Sequence, residues 1–317
     1  MPNRIAIVGL GNVGASYAYA MLFRGLASEL VLIDSNRAKA EGEAMDLNHA
    51  MPFTHATRIW AGDYSDCAGA ALMVITAGSA QRPGESRLDL VARNARILAS
   101  IVPEVVRHNP EGILLIASNP VDVLTYMAWK LSGLPASKVI GSGTILDTAR
   151  FRYLLSQHFG VDARSVHGFI IGEHGDSEVP VWSLTNIAGM RLREYARHSN
   201  VDCSPATMER IFTETRDAAY RIIECKGSTY YAVAAGLMRV TEAILRDQST
   251  VLSVSSLIHN LYGIDNVCLS MPTILHRNGV ERVIPLELND EEIRKLQNSA
   301  RVLRQTIESV KEVLAAK

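Results

Sequence analysis

No two cysteines in this sequence are closely spaced. Cys67, Cys203, Cys225 and Cys268 are scattered along the chain, so neither a zinc ribbon nor a redox dithiol is supported, and four separate thiols fit a reducing compartment. Neither sign of charge predominates: 32 Lys+Arg stand against 33 Asp+Glu. That balance excludes a general attraction to nucleic acid or to an anionic membrane and leaves room only for local charged pockets. No apolar run approaches bilayer-spanning length, and the start, MPNRIAIVGLGNVG, has no long apolar leader core, so a soluble cytoplasmic protein is expected. Fixed-period repeats and low-complexity tracts are also lacking. With 48% apolar and 21% charged residues, the chain is not a wholly disordered one. Its 317 residues are many for one core and comfortable for two packed domains.

Up to about residue 142, short apolar runs alternate with segments of helical length. Strands are expected at Arg4–Val8, Glu29–Ile33, Thr57–Ala61, Ala71–Thr76, Ile113–Ala117 and Val139–Gly141, with helices such as Val13–Ala27 and Leu88–His108 between them. Continuous apolar strands separated by helices predict a parallel sheet covered on both faces, a doubly wound Rossmann α/β domain over residues 1–142. From 143 to 317 the pattern changes to an α+β domain. A helix over Thr144–Phe159 precedes a strand over Val166–Ile171 and a polar loop over Gly172–Pro180. Long helices follow at Pro205–Cys225 and Ser228–Leu245, then strands at Val251–Leu257, Val267–Leu269 and Val280–Pro285. Asn289 and Asp290 can cap a last helix, whose apolar residues recur at three- and four-residue spacing.

Gly9-Leu10-Gly11-Asn12-Val13-Gly14 follows the first strand directly and opens a helix. Gly9 allows the tight turn, Gly11 lets a pyrophosphate approach the backbone, and Gly14 lets the helix pack on the strand. The free N–H groups of the helix start suit phosphates. Asp34 ends the second strand, 20 residues after Gly14, where a carboxylate accepts hydrogen bonds from ribose hydroxyls and repels a 2′-phosphate. NAD is therefore expected over NADP.

A second loop, Thr76-Ala77-Gly78-Ser79-Ala80-Gln81-Arg82-Pro83-Gly84-Glu85-Ser86-Arg87, leaves the carboxyl end of the fourth strand, where such sheets bind ligands. Its two arginines and glutamine could close on an anionic substrate, and it reads equally well as a solvated surface loop. Asp147 and Arg150 share a helix face at three-residue spacing, as many surface ion pairs do. His174 stands in Gly172-Glu173-His174-Gly175-Asp176, with no second His or nearby Cys to make a metal site. Gly141-Ser142-Gly143 lacks the spacing of a hydrolase nucleophile.

Taken together, GLGNVG, TAGSAQRPGESRL, SNPVDVLTY, GSGTILDTARFR, GEHGDSEVPVW and KGSTYYA resemble the L-lactate dehydrogenases, almost from end to end and in the same order. The resemblance implies a homotetramer interconverting pyruvate and L-lactate with NADH and NAD. It implies that His174 is proton donor and acceptor, that Asp147 orients it, that Arg150 grips the substrate carboxylate and that Arg87 polarises the carbonyl. Asn119 would serve both carbonyl and nicotinamide, and Thr229 would line the pocket. Gly9, Gly11, Asn12, Val13, Gly14, Asp34, Thr76, Ala77 and Gly78 would hold the cofactor. The sister malate dehydrogenases place an arginine where this chain has Gln81, to pair the second carboxylate. A neutral Gln81, with Glu85 nearby and Arg82 expected to face solvent, favours pyruvate over oxaloacetate, and malate is the alternative. A catalytically silent NAD-binding protein would have no need of His174, Asp147 and Arg150 together.

Arg152 lies two residues beyond Arg150 and so points about 200° away around the helix. In bacterial lactate dehydrogenases activated by fructose 1,6-bisphosphate, an arginine and a histidine corresponding to Arg152 and His167 hold the effector's phosphates. Both residue types are present, which implies the same effector site.

Overall fold

The computed structural model describes residues 3–79 and 87–315. In the first half, β1 (Arg4–Val8), α1 (Asn12–Arg24), β2 (Glu29–Ile33), α2 (Arg37–Ala50) and β3 (Arg58–Ala61) lead into β4 (Leu72–Ile75). Then come α3 (Arg87–His108), β5 (Ile113–Ile116), α4 (Val121–Ser132) and β6 (Val139–Gly141). The six strands are parallel, in the order β3-β2-β1-β4-β5-β6. Every strand alternates its side chains between faces, and here both sets are apolar. Ala6, Val8, Met73, Ile75, Leu114 and Ile116 enter one core with α3 and α4. Ile5, Ile7, Leu72, Val74, Ile113 and Leu115 enter the other with α1 and α2. The sheet is thus wound on both sides, as its continuous apolar runs predict.

The second half continues as α5 (Ile145–Phe159), β7 (Val166–His167), β8 (Ile170–Ile171), β9 (Val179–Pro180), β10 (Asn186–Ile187), β11 (Met190–Arg191) and α6 (Leu192–Ser199). It ends with α7 (Pro205–Lys226), α8 (Tyr231–Leu245), β12 (Thr250–Ile258), β13 (Val267–His276), β14 (Gly279–Val283) and α9 (Asp290–Ala315). The strands β12, β13 and β14 extend the main sheet antiparallel through the pairing of Ser255 with Gly141. Helix α8 joins α1 in one core and α9 joins α3 and α4 in the other. A third core lies between α5, α6 and α7. Among the described residues no helix is long and apolar enough to cross a membrane.

Three local expectations shift. The strand expected over Val267–Leu269 runs on to His276, because it pairs with β12 from Val267 to Leu275. The strand expected over Val166–Ile171 breaks at Gly168, because β7 pairs with β10 while β8 pairs with β9. A Cβ at Gly168 would stand 2.9 Å from the Phe151 ring and from Thr185, so that crossing needs glycine. Helix α8 starts at Tyr231 rather than Ser228, since Gly227 (φ +83°) turns the chain and residues 228–230 form a link of their own.

Candidate active site

The strand order reverses beside β1, whose neighbours are β2 and β4. The chain leaves these strands in opposite directions there, which opens a crevice at their carboxyl ends. Gly9 (φ +97°) turns out of β1, and a Cβ on it would lie 2.4 Å from the Ala77 nitrogen. A Cβ at Gly14 would come within 2.0 Å of the Gly9 carbonyl oxygen, whereas at Gly11 it would meet no atom within 4 Å. The first and third glycines therefore let backbone approach backbone, and the second leaves open space before the N-terminus of α1. Asp34 accepts hydrogen bonds from the backbone N–H of Leu10 (2.7 Å) and of Asn36 (2.9 Å), which fixes its carboxylate across the glycine turn. Gly9, Gly11 and Asp34 line a cavity of about 670 Å³ together with Thr76, Ala77 and Gly78. That volume suits a cofactor, and the open space at Gly11 together with the anchored Asp34 fits a dinucleotide with an unphosphorylated ribose.

A second cavity, of about 410 Å³, holds Asn119, Asp147, Arg150, His174 and Glu178 with Arg216, Ala219, Tyr220 and Ile223 of α7. Its chemistry centres on Asp147, buried in the first turn of α5. One carboxylate oxygen accepts from His174 Nδ1 (2.5 Å) and the other from Arg150 Nη1 (3.0 Å). Burial works against the charged Asp147, but His174 and Arg150 outweigh it and hold its carboxyl below the usual range. Burial likewise opposes the His174 imidazolium. The charge and hydrogen bond of Asp147, with the charge of Asp122 behind them, more than compensate and raise it to about 9. The site is thus set to hold a proton on an imidazole beside a guanidinium.

Of the sequence candidates, the structure brings His174, Asp147, Arg150 and Asn119 to one cavity, and Gly9, Gly11, Asp34, Thr76, Ala77 and Gly78 to the other. Asn12, Val13 and Gly14 form the first turn of α1 and are not among the residues lining the latter. Thr229 lies in the link between α7 and α8, outside the residues lining the substrate cavity. Gln81, Arg82 and Glu85 fall outside the described residues, and Arg87 is placed only as the first residue of α3. Arg152 turns away from the site as its helical angle predicts. Its Nε donates to the Gly168 carbonyl (2.9 Å), and its guanidinium lies 5.2 Å from the Phe169 ring centre. That brings it to the strand end next to His167, which is exposed on β7.

Sequence reasoning missed three members of the site. Asp122, buried in the first turn of α4, accepts the backbone N–H of His174 (2.7 Å). Burial raises it to about 6, against the pull of the Ser255 hydroxyl and that amide. Glu178 is buried four residues after His174. Burial and the charge of Asp147 raise it to about 9, so at neutral pH it is an uncharged carboxyl. Arg216 leads an i, i+3, i+4, i+7 face of α7 with Ala219, Tyr220 and Ile223. That periodicity was visible in the sequence, but only the fold shows that the face looks into a cavity.

The lactate/malate dehydrogenase NAD-binding domain family matches residues 3–141, and the alpha/beta C-terminal domain of the same family matches residues 144–314. The chain is 52% identical to L-lactate dehydrogenase 1 of Clostridium acetobutylicum, over 97% of this chain and 98% of that protein. It is also 52% identical to the L-lactate dehydrogenase of Priestia megaterium, over 96% and 95% of the two chains. A lactate dehydrogenase from a Medee basin deep-sea metagenome library superposes with a TM-score of 0.95 at 46% identity, covering 98% of this chain and 100% of that one. The ligand-bound minor L-lactate dehydrogenase of Enterococcus mundtii gives 0.94 at 43% identity, over 98% of each chain. Matched over nearly its whole length in both sequence and backbone, the chain belongs to the lactate/malate dehydrogenase family.

Proposed function

We propose that this site interconverts pyruvate and L-lactate at the expense of NADH and NAD, the activity of an L-lactate dehydrogenase. The observation that carries the reading is the double engagement of Asp147, which sets His174 and Arg150 side by side. Arg150 offers a planar pair of donors that matches the substrate carboxylate. With the carboxylate so held, the carbonyl oxygen faces His174, which gives its proton from Nε2 as negative charge builds there. Asp147 keeps Nδ1 occupied, so that proton leaves from one nitrogen only. Asn119 adds a donor near the carbonyl, and Arg87 a cation. The bound nicotinamide supplies the hydride in one direction and accepts it in the other. In the lactate direction His174 takes up the hydroxyl proton.

Residues 1–142 serve the cofactor and 143–317 the substrate. Asp34 favours NAD over its 2′-phosphorylated form. Gln81 and Glu85 leave a second carboxylate without a partner, so pyruvate is preferred over oxaloacetate. The subunit is one of four in a cytoplasmic homotetramer, and Arg152 and His167 bind fructose 1,6-bisphosphate. Exposed Met45, Phe53, Tyr153 and Tyr231 support subunit contacts of this kind, since large apolar side chains on a surface are what such contacts cover. Steady-state turnover of pyruvate and of oxaloacetate with NADH tests the substrate. A higher kcat/KM is expected for pyruvate, and a higher one for oxaloacetate overturns the assignment.

A further inference from the structure

The loop that opens α1 and the link that follows α7 are joined by a contact that no step above uses. Helix α1 starts at the cofactor loop, and α8 starts just after the link that closes α7. Helix α1 is tied by three side-chain contacts to α8 and the link before it. Asn12 Nδ2 donates to Ser228 Oγ (2.9 Å) at the upper end. Tyr17 of α1 and Thr241 in the last turns of α8 share a buried hydroxyl hydrogen bond (2.6 Å). Arg24 pairs with the buried Glu242 (2.7 Å) at the lower end. The lower two ties lie far along the helices from the site. The upper one fixes the α7–α8 link itself.

That link is short and held on both flanks. Gly227 (φ +83°) breaks α7. On the other side, the Lys226 ammonium lies over the Tyr230 and Tyr231 rings, at 3.5 and 4.3 Å from their centres. Whatever sets residues 227–230 also sets the end of α7, whose Arg216, Ala219, Tyr220 and Ile223 line the substrate cavity. Asn12 is the residue after Gly11, so its backbone sits where the cofactor's phosphates would be received, while its side chain is committed to Ser228.

We infer that Ser228 is a positioning residue: through Asn12 it ties the cofactor loop to the α7 wall of the substrate cavity, so that NADH and the ketoacid strengthen each other's binding. The inference rests on the reading of that cavity as the substrate site. Coupling between two ligands needs a contact whose geometry both of them bias, and this hydrogen bond joins the two loops concerned.

The test is fluorescence titration of NADH with and without saturating oxamate, a non-reducible analogue of pyruvate. In the parent protein oxamate tightens NADH binding. In S228A that tightening falls by about 2- to 10-fold, the range one uncharged hydrogen bond supports, and KM for pyruvate rises by the same factor with kcat unchanged. NADH affinity without oxamate stays within about twofold. S228T keeps the hydroxyl and restores the coupling. A purely structural role would move NADH affinity alone or thermal stability and leave the ratio intact. A ratio unchanged in S228A, or lowered equally in S228T, overturns the inference. A parent protein that turns over no pyruvate overturns instead the substrate reading on which it rests.

Discussion

Asp147 holds an imidazole with one oxygen and a guanidinium with the other, and that division sets the pH behaviour of the site. His174 is raised to about 9, above its ordinary value, so the protonated form that would give its proton to pyruvate is present through neutral pH and is lost as pH climbs through about 9. The kcat/KM for pyruvate is therefore expected to be flat near neutrality and to fall on the alkaline side. Lactate oxidation, which needs the neutral ring, should rise over the same interval. Glu178 loses its proton in that range too, so the alkaline limb belongs to the pair rather than to one group. In D147N the charge that outweighs burial is gone. The limb moves to lower pH and kcat/KM drops by about 10²- to 10⁴-fold, the usual worth of a positioned acid. Steady-state pH profiles of both proteins check this. A D147N limb that stays near 9 means that Asp147 does not govern the histidine.

At the scale of elements, the turn from β1 into α1 separates two jobs that glycine does for different reasons. Gly14 is needed for folding, since a Cβ there would press within 2.0 Å of the Gly9 carbonyl oxygen. Gly11 has no protein atom within 4 Å of that position, so its openness serves a ligand. G14A should lose about 1–3 kcal/mol of stability as an overpacked site, seen as a lower midpoint in urea. G11A should unfold at the parent's midpoint yet bind NADH more weakly by roughly tenfold or more, about 1.4 kcal/mol. Titration of NADH fluorescence separates the two, and a G11A protein that binds NADH like its parent would remove this loop from the cofactor site. Asp122 shows a related economy of means: from the first turn of α4, three residues after Asn119, it fastens the His174 loop by its backbone, so two loops of the site share one anchor.

For the whole molecule, the question is what the single subunit leaves exposed. Arg152 leans on the Gly168 carbonyl and the Phe169 ring, beside an exposed His167, on the face of α5 opposite the substrate. An anion received there would meet α5 on the face away from Asp147 and Arg150. Fructose 1,6-bisphosphate is expected to lower the pyruvate concentration giving half-maximal rate, because a ligand shifts a population only toward the state it binds better. A pyruvate saturation curve at low enzyme concentration that is identical with and without the bisphosphate would count against an activating site.

The strand–glycine–helix–acid pattern from Arg4 to Asp34 and the continuous apolar strands were legible without coordinates. They rest on short-range rules: alternation of side chains along a strand, the absence of a Cβ in a turn, and the fixed rise of a helix. The same rules placed Asp147 and Arg150 on one face and Arg152 on the other. They could not reveal that β12, β13 and β14 would extend the first sheet through Ser255 and Gly141, nor that strands as short as β7 to β11 would choose separate partners. Such pairings are decided between segments far apart in the chain, where two-residue strands carry no period to read. The neutral Glu178, the anchoring Asp122 and the Asn12–Ser228 tie are of this second kind. A carboxyl's charge and a hydroxyl's partner depend on what burial and packing bring beside them, so the chain order named the chemical groups and the tertiary structure decided which of them act on one another.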